Sequence, residues 1–103
     1  MYSNTRVSPM SDATIVVAAR DVMAADFSPE VVLLNLRDGV YYGVEEVGAR
    51  VWTLLQTPIA VREILDTITA EFDVEPARCE RDVRAFVDQL VARGLVDVCG
   101  DAR

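Results

Sequence analysis

This sequence contains no histidine, and that absence removes several kinds of chemistry at once. Without an imidazole there is no histidine general base for a catalytic triad and no histidine ligand for a metal ion. The five glycines are scattered, so no glycine-rich loop is available to cradle a phosphate. We therefore expect neither a catalytic site nor a bound cofactor or metal.

Cysteine is almost as scarce, with only Cys79 and Cys99 in the chain. The two do not form a Cys-x-x-Cys pair, which disfavours a zinc site. Cys79 falls on the apolar stripe of a predicted helix, where we expect a buried structural thiol. A disulfide between the two is the alternative, but no secretory signal segment is visible and a reducing, cytoplasmic location is predicted.

The chain also lacks an excess of positive charge and any long apolar run. It carries 17 acidic and 10 basic residues, a net charge of −7, which disfavours binding to the phosphates of DNA or RNA. No apolar stretch approaches the ~20 residues of a membrane span. Its 103 residues, 51% of them hydrophobic, suffice for one folded domain with a modest core.

What the sequence does contain is a strong hairpin pattern in residues 31–48. Arg37-Asp38-Gly39 predicts the turn, because aspartate tolerates a bent backbone and glycine adopts positive φ without steric cost. A two-residue loop would pair Leu36 with Tyr41, and a three-residue loop would pair Leu36 with Val40. We prefer the second register, because it gives one continuous apolar row. That row is Val32, Leu34, Leu36, Val40, Tyr42 and Val44.

Strands are predicted in the first half of the chain and helices in the second. One antiparallel meander is expected from residues 22–27, 31–36 and 40–44. Residues 14–19 are predicted to be an extra strand or an N-terminal arm. Helices are predicted at residues 45–56, 60–71 and 76–93, each with an apolar stripe at helical spacing. Strands followed by helices indicate an α+β domain, and the last two helices resemble a winged helix-turn-helix.

The ends of the chain are predicted to lie outside this domain. Residues 1–13 are polar and aperiodic, so we expect a disordered N-terminal segment. The folded domain is predicted to span residues 14–98, followed by a loose tail at residues 99–103. Gly48, inside the first helix, is unfavourable there; close approach to the sheet is the preferred reason, and a glycine without a packing role is the alternative.

Tyr41 and Tyr42 must point to opposite faces of their strand, because successive strand residues alternate. In the preferred register Tyr42 faces the core, while Tyr41 lies on the other face beside an edge that nothing else in the sequence obviously covers. A tyrosine there suits contact with a partner, since it offers a large contact area at low entropic cost. The alternative is that both rings simply pack within the domain.

Three segments resemble a known family. They are VLLNLRDGVYYGVEEVGARVWTLL at residues 32–55, AVREI at residues 60–64 and DVRAFVDQLVARGLV at residues 82–96. Over residues 22–98 the chain resembles the pyrroloquinoline-quinone synthesis protein D family, whose stand-alone members are RiPP recognition elements. A free-standing chain of this size is similar to the small B1 proteins of lasso-peptide pathways.

The resemblance implies three strands followed by three helices, with a groove between the third strand and the third helix. In that groove the leader of a ribosomally made precursor peptide binds as a fourth strand and is delivered to processing enzymes. In a lasso-peptide pathway the implied partners are a leader peptidase and an ATP-dependent macrolactam synthetase. In the cofactor-synthesis branch the partner is a radical enzyme.

Elementary strand chemistry agrees with that function, because an open edge binds an extended peptide through backbone N–H and C=O groups. Phe86 would form an apolar floor, Asp82 would pair with a basic leader residue, and Gly43 would leave room for a backbone to approach. The predicted peptide-binding residues are Val40, Tyr41, Tyr42, Gly43, Asp82, Phe86, Gln89 and Arg93. The alternative flank of the third helix carries Glu80, Arg84 and Val91.

Two other functions stay open on the sequence alone. One is a DNA-binding winged helix, although the third helix mixes acidic and basic side chains at residues 80–88 instead of presenting a basic face. The other is an enzyme subunit whose active site needs a second chain.

Overall fold

The computed structural model describes residues 10–101, which form two small antiparallel sheets and three helices. The elements are β1 Thr14–Ala18, β2 Val22–Phe27, β3 Glu30–Asn35, β4 Val40–Glu45, α1 Val47–Leu54, β5 Ile59–Ala60, α2 Val61–Glu71, α3 Pro76–Ala92 and β6 Val96–Asp101. One sheet has the strand order β2-β3-β4 and the other β5-β1-β6. The predicted α+β class and the predicted meander are both confirmed.

The second sheet was only partly foreseen. β1 is an extra strand, as one of the two interpretations held, but it pairs with β5 and β6 and not with the meander. Residues 99–101 belong to β6, so the prediction of a loose tail is wrong for them. Thr14 explains part of this pairing, because its buried hydroxyl donates a 2.9 Å hydrogen bond to the carboxylate of Asp101.

The hairpin register differs from the preferred prediction by one residue. Asn35 pairs with Val40, so the loop comprises the four residues 36–39, and Gly39 has the expected positive φ of 74°. Asn35 accounts for the longer loop. Its buried side chain accepts a 2.9 Å hydrogen bond from the N–H of Arg37 and donates a 3.0 Å hydrogen bond to the carbonyl of Arg93.

This shift reverses the predicted orientation of β3 but leaves that of β4 intact. Leu33 is fully buried, whereas Leu36 is 53% exposed. On β4, Val44 is buried, Tyr42 is half-buried on the same side, and Tyr41 is 68% exposed on the other side, as predicted. The β2-β3-β4 sheet therefore has an inner face against the helices and an outer face away from them.

The helices lie close to their predicted positions. α1 begins at Val47, two residues later than predicted, after Glu46 with φ 52° and without a side-chain cap. α3 has the predicted proline at its start and ends before Gly94, whose φ is 76°. The buried helix residues form the apolar stripes of the core, together with Leu55 directly after α1: Val51, Trp52, Leu55, Val61, Ile64, Leu65, Ile68, Cys79, Val83, Val87 and Leu90. Both cysteines are free thiols.

The folded region begins earlier than predicted. Met10 is only 7% exposed and belongs to the core, and Asp12 forms ion pairs with Arg62 of α2 and Arg84 of α3. Residues 10–13 therefore differ from the predicted disordered segment, because the Asp12 carboxylate pairs with two arginines there and Met10 is buried. Residues 1–9 of that prediction lie outside the described part of the chain. None of the helices within residues 10–101 is long and apolar enough to cross a membrane.

Candidate functional site

The open edge of β4 is the first component of the candidate site. Within residues 10–101, β4 pairs with β3 on one side and with no strand on the other. In an antiparallel ladder, every second residue of an edge strand directs its backbone N–H and C=O away from its neighbour. The six residues of β4 thus offer unpaired backbone donors and acceptors to an extended chain.

A groove runs beside this edge, between β4 and α3. It contains two adjoining cavities of about 220 and 350 Å³. The smaller one lies toward the end of α3 and is lined by Tyr42, Gly43, Val44, Phe86, Gln89, Leu90 and Arg93. The larger one is lined by Gly43, Val44, Glu45, Val47, Gly48, Asp82, Val83 and Phe86. Phe86 borders both, so its ring forms the apolar floor where the cavities meet.

Gly48 makes this geometry possible. A Cβ atom at this position would lie 3.3 Å from Cζ of Phe86, closer than most real Cβ contacts, and 3.4 Å from Cβ of Val44, an ordinary van der Waals distance. The absence of a side chain therefore lets α1 approach the Phe86 ring of α3. The close approach at Gly48 is to this ring more than to the sheet, which was the predicted reason for the glycine.

The structure brings the predicted residues of α3 together on the groove side. Asp82, Phe86, Gln89 and Arg93 all line the two cavities. The alternative flank is engaged elsewhere, because Arg84 pairs with Asp12 and with Glu80 at 3.2 Å. Val91 is half-buried and packs against the core. The choice between the two flanks agrees with the observed placement.

The four predicted strand residues are divided between the two faces of the sheet. Tyr42 is on the groove side, where the guanidinium of Arg93 lies 5.2 Å from its ring centroid. Tyr41 projects from the outer face, so only its backbone lies along the edge. A side chain at Gly43 would also point outward and meet the carboxylate of Glu30 at 2.5 Å, so a glutamate side chain, and not a cleft, occupies that space. Val40 is 43% exposed and lines neither cavity.

The groove differs in charge along its length. Arg93 stands at one end and Asp82 at the other, where the backbone of Glu45 also borders the larger cavity. Asp82 lies 3.7 Å from both Arg78 and Arg81, but all three side chains are more than half exposed, so these contacts are weak. At the acidic end a further cavity of about 500 Å³ continues from the groove. The sequence did not reveal it, because it depends on how the α2–α3 connection packs beside Val47.

Two hydrogen bonds fix the hairpin to α3 at the Arg93 end. Asn35 Nδ2 donates to the carbonyl of Arg93 at 3.0 Å, and Arg37 Nη2 donates to the carbonyl of Gly94 at 3.1 Å. The first satisfies the carbonyl of the C-cap residue of α3, which has no intrahelical partner, and the second binds the carbonyl of the residue after it. Sequence reasoning missed both hydrogen bonds, because they connect residues 58 and 57 positions apart and neither has a local sequence pattern.

Residues 30–96 match the family model described as coenzyme PQQ synthesis protein D. The chain therefore belongs to this family, and it is a PqqD-like RiPP recognition element, as its sequence resemblance indicated.

Two solved structures are similar to this chain. In the structure of TbiB1 in complex with the TbiA(beta) leader peptide, TbiB1 is 37% identical in sequence to this chain, with a TM-score of 0.69. The match covers 84% of this chain and 99% of the TbiB1 chain. The structure of a lasso peptide synthetase B1 complexed with the leader peptide is 23% identical in sequence and has a TM-score of 0.65. The match covers 80% of this chain and 96% of the synthetase B1 chain, and it shows the shared fold. None of the curated proteins matches this chain.

Proposed function

We propose that this domain is a non-catalytic adaptor that binds the leader of a ribosomally synthesised precursor peptide in a lasso-peptide pathway. The leader would extend the sheet as a fourth strand beside β4 and present its bound segment to a leader peptidase and an ATP-dependent macrolactam synthetase. The observation that carries this proposal is the unpaired β4 edge beside a groove with an apolar floor. Similarity to TbiB1, whose solved structure contains a leader peptide, supports it.

Backbone pairing supplies affinity in this proposal, and the groove supplies specificity. At ~3.3 Å per residue, the six residues of β4 span ~20 Å, enough for about three leader side chains that point into the groove. Phe86 and Val44 offer an apolar surface to the middle one of these side chains. An aliphatic or aromatic leader residue is therefore expected at that position.

The charges of the groove set the direction of the leader. Arg93 favours an acidic leader residue at one end, and Asp82 favours a basic one at the other. Because these side chains are solvent-accessible, each pair contributes only about 0–1 kcal/mol. Charge therefore selects orientation and partner more than it adds affinity.

The family match also keeps a second candidate, a peptide chaperone that serves a radical enzyme in cofactor synthesis. The sequence resemblance to the small B1 proteins of lasso-peptide pathways is the reason for preferring that pathway, and the leader peptide in the TbiB1 structure supports peptide binding in either case. DNA binding is disfavoured by the net charge of −7 and by the ion pairs of Arg62 and Arg84 with Asp12, which remove two cations from the helical surface.

The proposal is tested by titrating the domain into a fluorescent synthetic leader, taken from the precursor encoded nearby, and following anisotropy. Saturable binding is expected, and Phe86→Ala should weaken it by about 1–3 kcal/mol, roughly 5–150-fold. Arg84→Ala, on the other flank of α3, is the matched control and should leave the affinity unchanged. Circular dichroism verifies that both variants are folded.

Absence of saturable binding to any of several neighbouring leaders would contradict the proposal. Equal loss of affinity in Phe86→Ala and Arg84→Ala would place the leader outside the groove. A mobility shift of labelled duplex DNA at physiological salt would instead support the winged-helix alternative.

A further inference from the structure

The hydrogen-bond pattern of the β2-β3-β4 sheet decides which residues of β4 face its free edge. Leu36 donates its N–H to the carbonyl of Asp21 at 2.8 Å, so this end of the ladder bonds toward β2. The direction alternates along an antiparallel strand, so the odd-numbered residues of β3 bond toward β4. Their partners are the even-numbered residues of β4: Val40, Tyr42 and Val44. The backbone groups that face the free edge therefore belong to the odd-numbered ones: Tyr41, Gly43 and Glu45.

A leader residue that pairs with Gly43 directs its side chain away from the groove. Residues directly opposite each other in a sheet have their side chains on the same face. Gly43 belongs to the same row of β4 as Tyr41, which projects from the outer face. The leader side chain opposite Gly43 therefore stands on the outer face, where the residues that line the groove cannot recognise it.

The carboxylate of Glu30 lies next to this leader position. A Cβ atom at Gly43 would be 2.5 Å from Oε2 of Glu30, so the carboxylate occupies the place of a side chain at Gly43. Glu30 itself is on β3, opposite Glu45, and its side chain extends diagonally onto β4. It reaches the edge strand because Gly43 has no side chain. Adjacent strands are about 4.8 Å apart, so a long leader side chain opposite Gly43 reaches the carboxylate.

The charge at this point decides which leader side chain fits. Glu30 and Glu45 are directly opposite each other, and like charges in that arrangement destabilise a sheet. Neither carboxylate has an ion-pair partner within residues 10–101. A lysine or arginine beside them relieves this repulsion, whereas an acidic leader residue adds a third negative charge.

We infer that Glu30 is a specificity-determining residue of the leader-binding edge and selects a lysine or arginine at the leader position opposite Gly43. This inference rests on the proposed function and adds to it the recognition of a leader side chain outside the groove. Sequence reasoning did not single out Glu30, because it belongs to neither β4 nor α3 and reaches the edge only through its position diagonal to Gly43.

The test measures how leader affinity depends on the charge at each leader position. The fluorescent leader from the precursor encoded nearby is prepared as a set of peptides in which each residue in turn is replaced by lysine or by glutamate. Anisotropy then gives the ratio of the two affinities at every position. At one position the wild-type domain should bind the lysine peptide about fivefold more tightly. Glu30→Gln should bring that ratio close to one, and Glu30→Lys should reverse it.

Two further variants separate this contact from a general effect of charge. Glu63→Lys is the matched control, because it makes the same change of charge at an exposed glutamate on α2 and should leave the ratio unchanged. Gly43→Ala should lower the ratio without any change of charge, because the added methyl group displaces the Glu30 carboxylate. Circular dichroism verifies that all four variants are folded.

The outcomes for the inference and for the proposed function are distinct. A ratio that Glu30→Lys changes at no position, or that Glu63→Lys lowers equally, overturns the inference, while saturable binding of the leader preserves the proposed function. Absence of saturable binding to the wild-type domain contradicts the proposed function itself.

Discussion

The two flanks of α3 are in different environments. On one flank, which we call the covered flank, Arg84 pairs with Asp12 and with Glu80. There the segment that carries the buried Met10 packs against the domain. On the other, the open flank, Asp82, Phe86, Gln89 and Arg93 border a groove that no segment within residues 10–101 fills.

The difference indicates that one flank of α3 contributes to the stability of the fold, while the other is available for recognition of a partner. The covered flank and the core stripe hold α3 in place, so the open flank needs no partner from its own chain to remain folded. Substitutions on the covered flank should therefore lower the free energy of unfolding. Substitutions on the open flank should mainly lower leader affinity.

The largest expected effect is on the covered flank. Met10→Ala removes a side chain that is only 7% exposed and should lower the free energy of unfolding by about 2 kcal/mol, the low end for buried methionine. Urea denaturation followed by the fluorescence of the buried Trp52 measures it. Met23→Ala, at a 59% exposed methionine, should change stability by less than about 0.5 kcal/mol. Equal midpoints for the two variants would show that the N-terminal segment contributes nothing.

A second prediction concerns Gly48, next to the open flank. Gly48→Ala places a methyl group 3.3 Å from the ring of Phe86, and we expect the ring to shift by a few tenths of an ångström and alter the floor of the groove. Leader affinity should fall by about 1 kcal/mol, while the better helix propensity of alanine limits any loss of stability. Ala85→Gly, an exposed alanine on α3, should do the opposite and lower stability by about 1 kcal/mol without changing leader affinity. Wild-type leader affinity in the Gly48→Ala variant would indicate that Phe86 does not contribute to leader recognition.

A third prediction compares one ion pair from each flank by double-mutant cycles. Arg84 is 23% exposed and Asp12 41% exposed, so their coupling energy should be about 1 kcal/mol. Arg78 and Asp82, near the open flank, are 72% and 62% exposed and 3.7 Å apart, so their coupling should be about 0–0.5 kcal/mol. Urea titrations of the single and double alanine variants give both values. A larger coupling for the second pair would reverse the assignment of the flanks.

The smallest effect is expected away from both flanks, at Arg50 and Glu71. Arg50 donates two hydrogen bonds of 2.7 and 2.8 Å to the Glu71 carboxylate, which lowers the pKa of Glu71. A carboxylate whose pKa is lower in the folded than in the unfolded state stabilises the fold at pH values above its unfolded-state pKa of about 4.3. This stabilisation is lost as the pH falls through the folded-state pKa.

Glu71→Gln should therefore lower the melting temperature slightly at neutral pH, and the difference from the wild type should shrink as the pH falls below about 4. Asp97→Asn serves as the control, because Asp97 is exposed and has no ion pair within residues 10–101. A difference that grows on acidification would contradict the sign of the pKa shift.

The helices were predictable because their apolar stripes have a period that only a helix satisfies. The register of β3 was not, because both of its rows are apolar: Val31 and Leu33 on one face, Val32 and Leu34 on the other. The pattern of apolar residues therefore could not show which row of β3 faces the core. The deciding group was Asn35, whose hydrogen bond to Arg93 connects residues 58 positions apart and has no local sequence pattern.

The candidate site was predicted better than the second sheet, for a related reason. The spacing of Asp82, Phe86, Gln89 and Arg93 places them on one flank whatever the rest of the chain does. Strand alternation likewise separates Tyr41 from Tyr42 once one of them is assigned to the core. The pairing of β1 with β6 depends instead on contacts between the two ends of the domain, for which neither segment has a local pattern.

The hydrogen bonds from Asn35 and Arg37 to the end of α3 have a dynamic consequence. They fix the separation of strand and helix at the Arg93 end, whereas Asp82 and Phe86 form no hydrogen bond to β4 within residues 10–101. We therefore expect changes in groove width to occur mainly at the opposite end, near residues 44–47. Occupation of the groove should slow amide hydrogen exchange there and leave exchange at residues 35–37 unchanged.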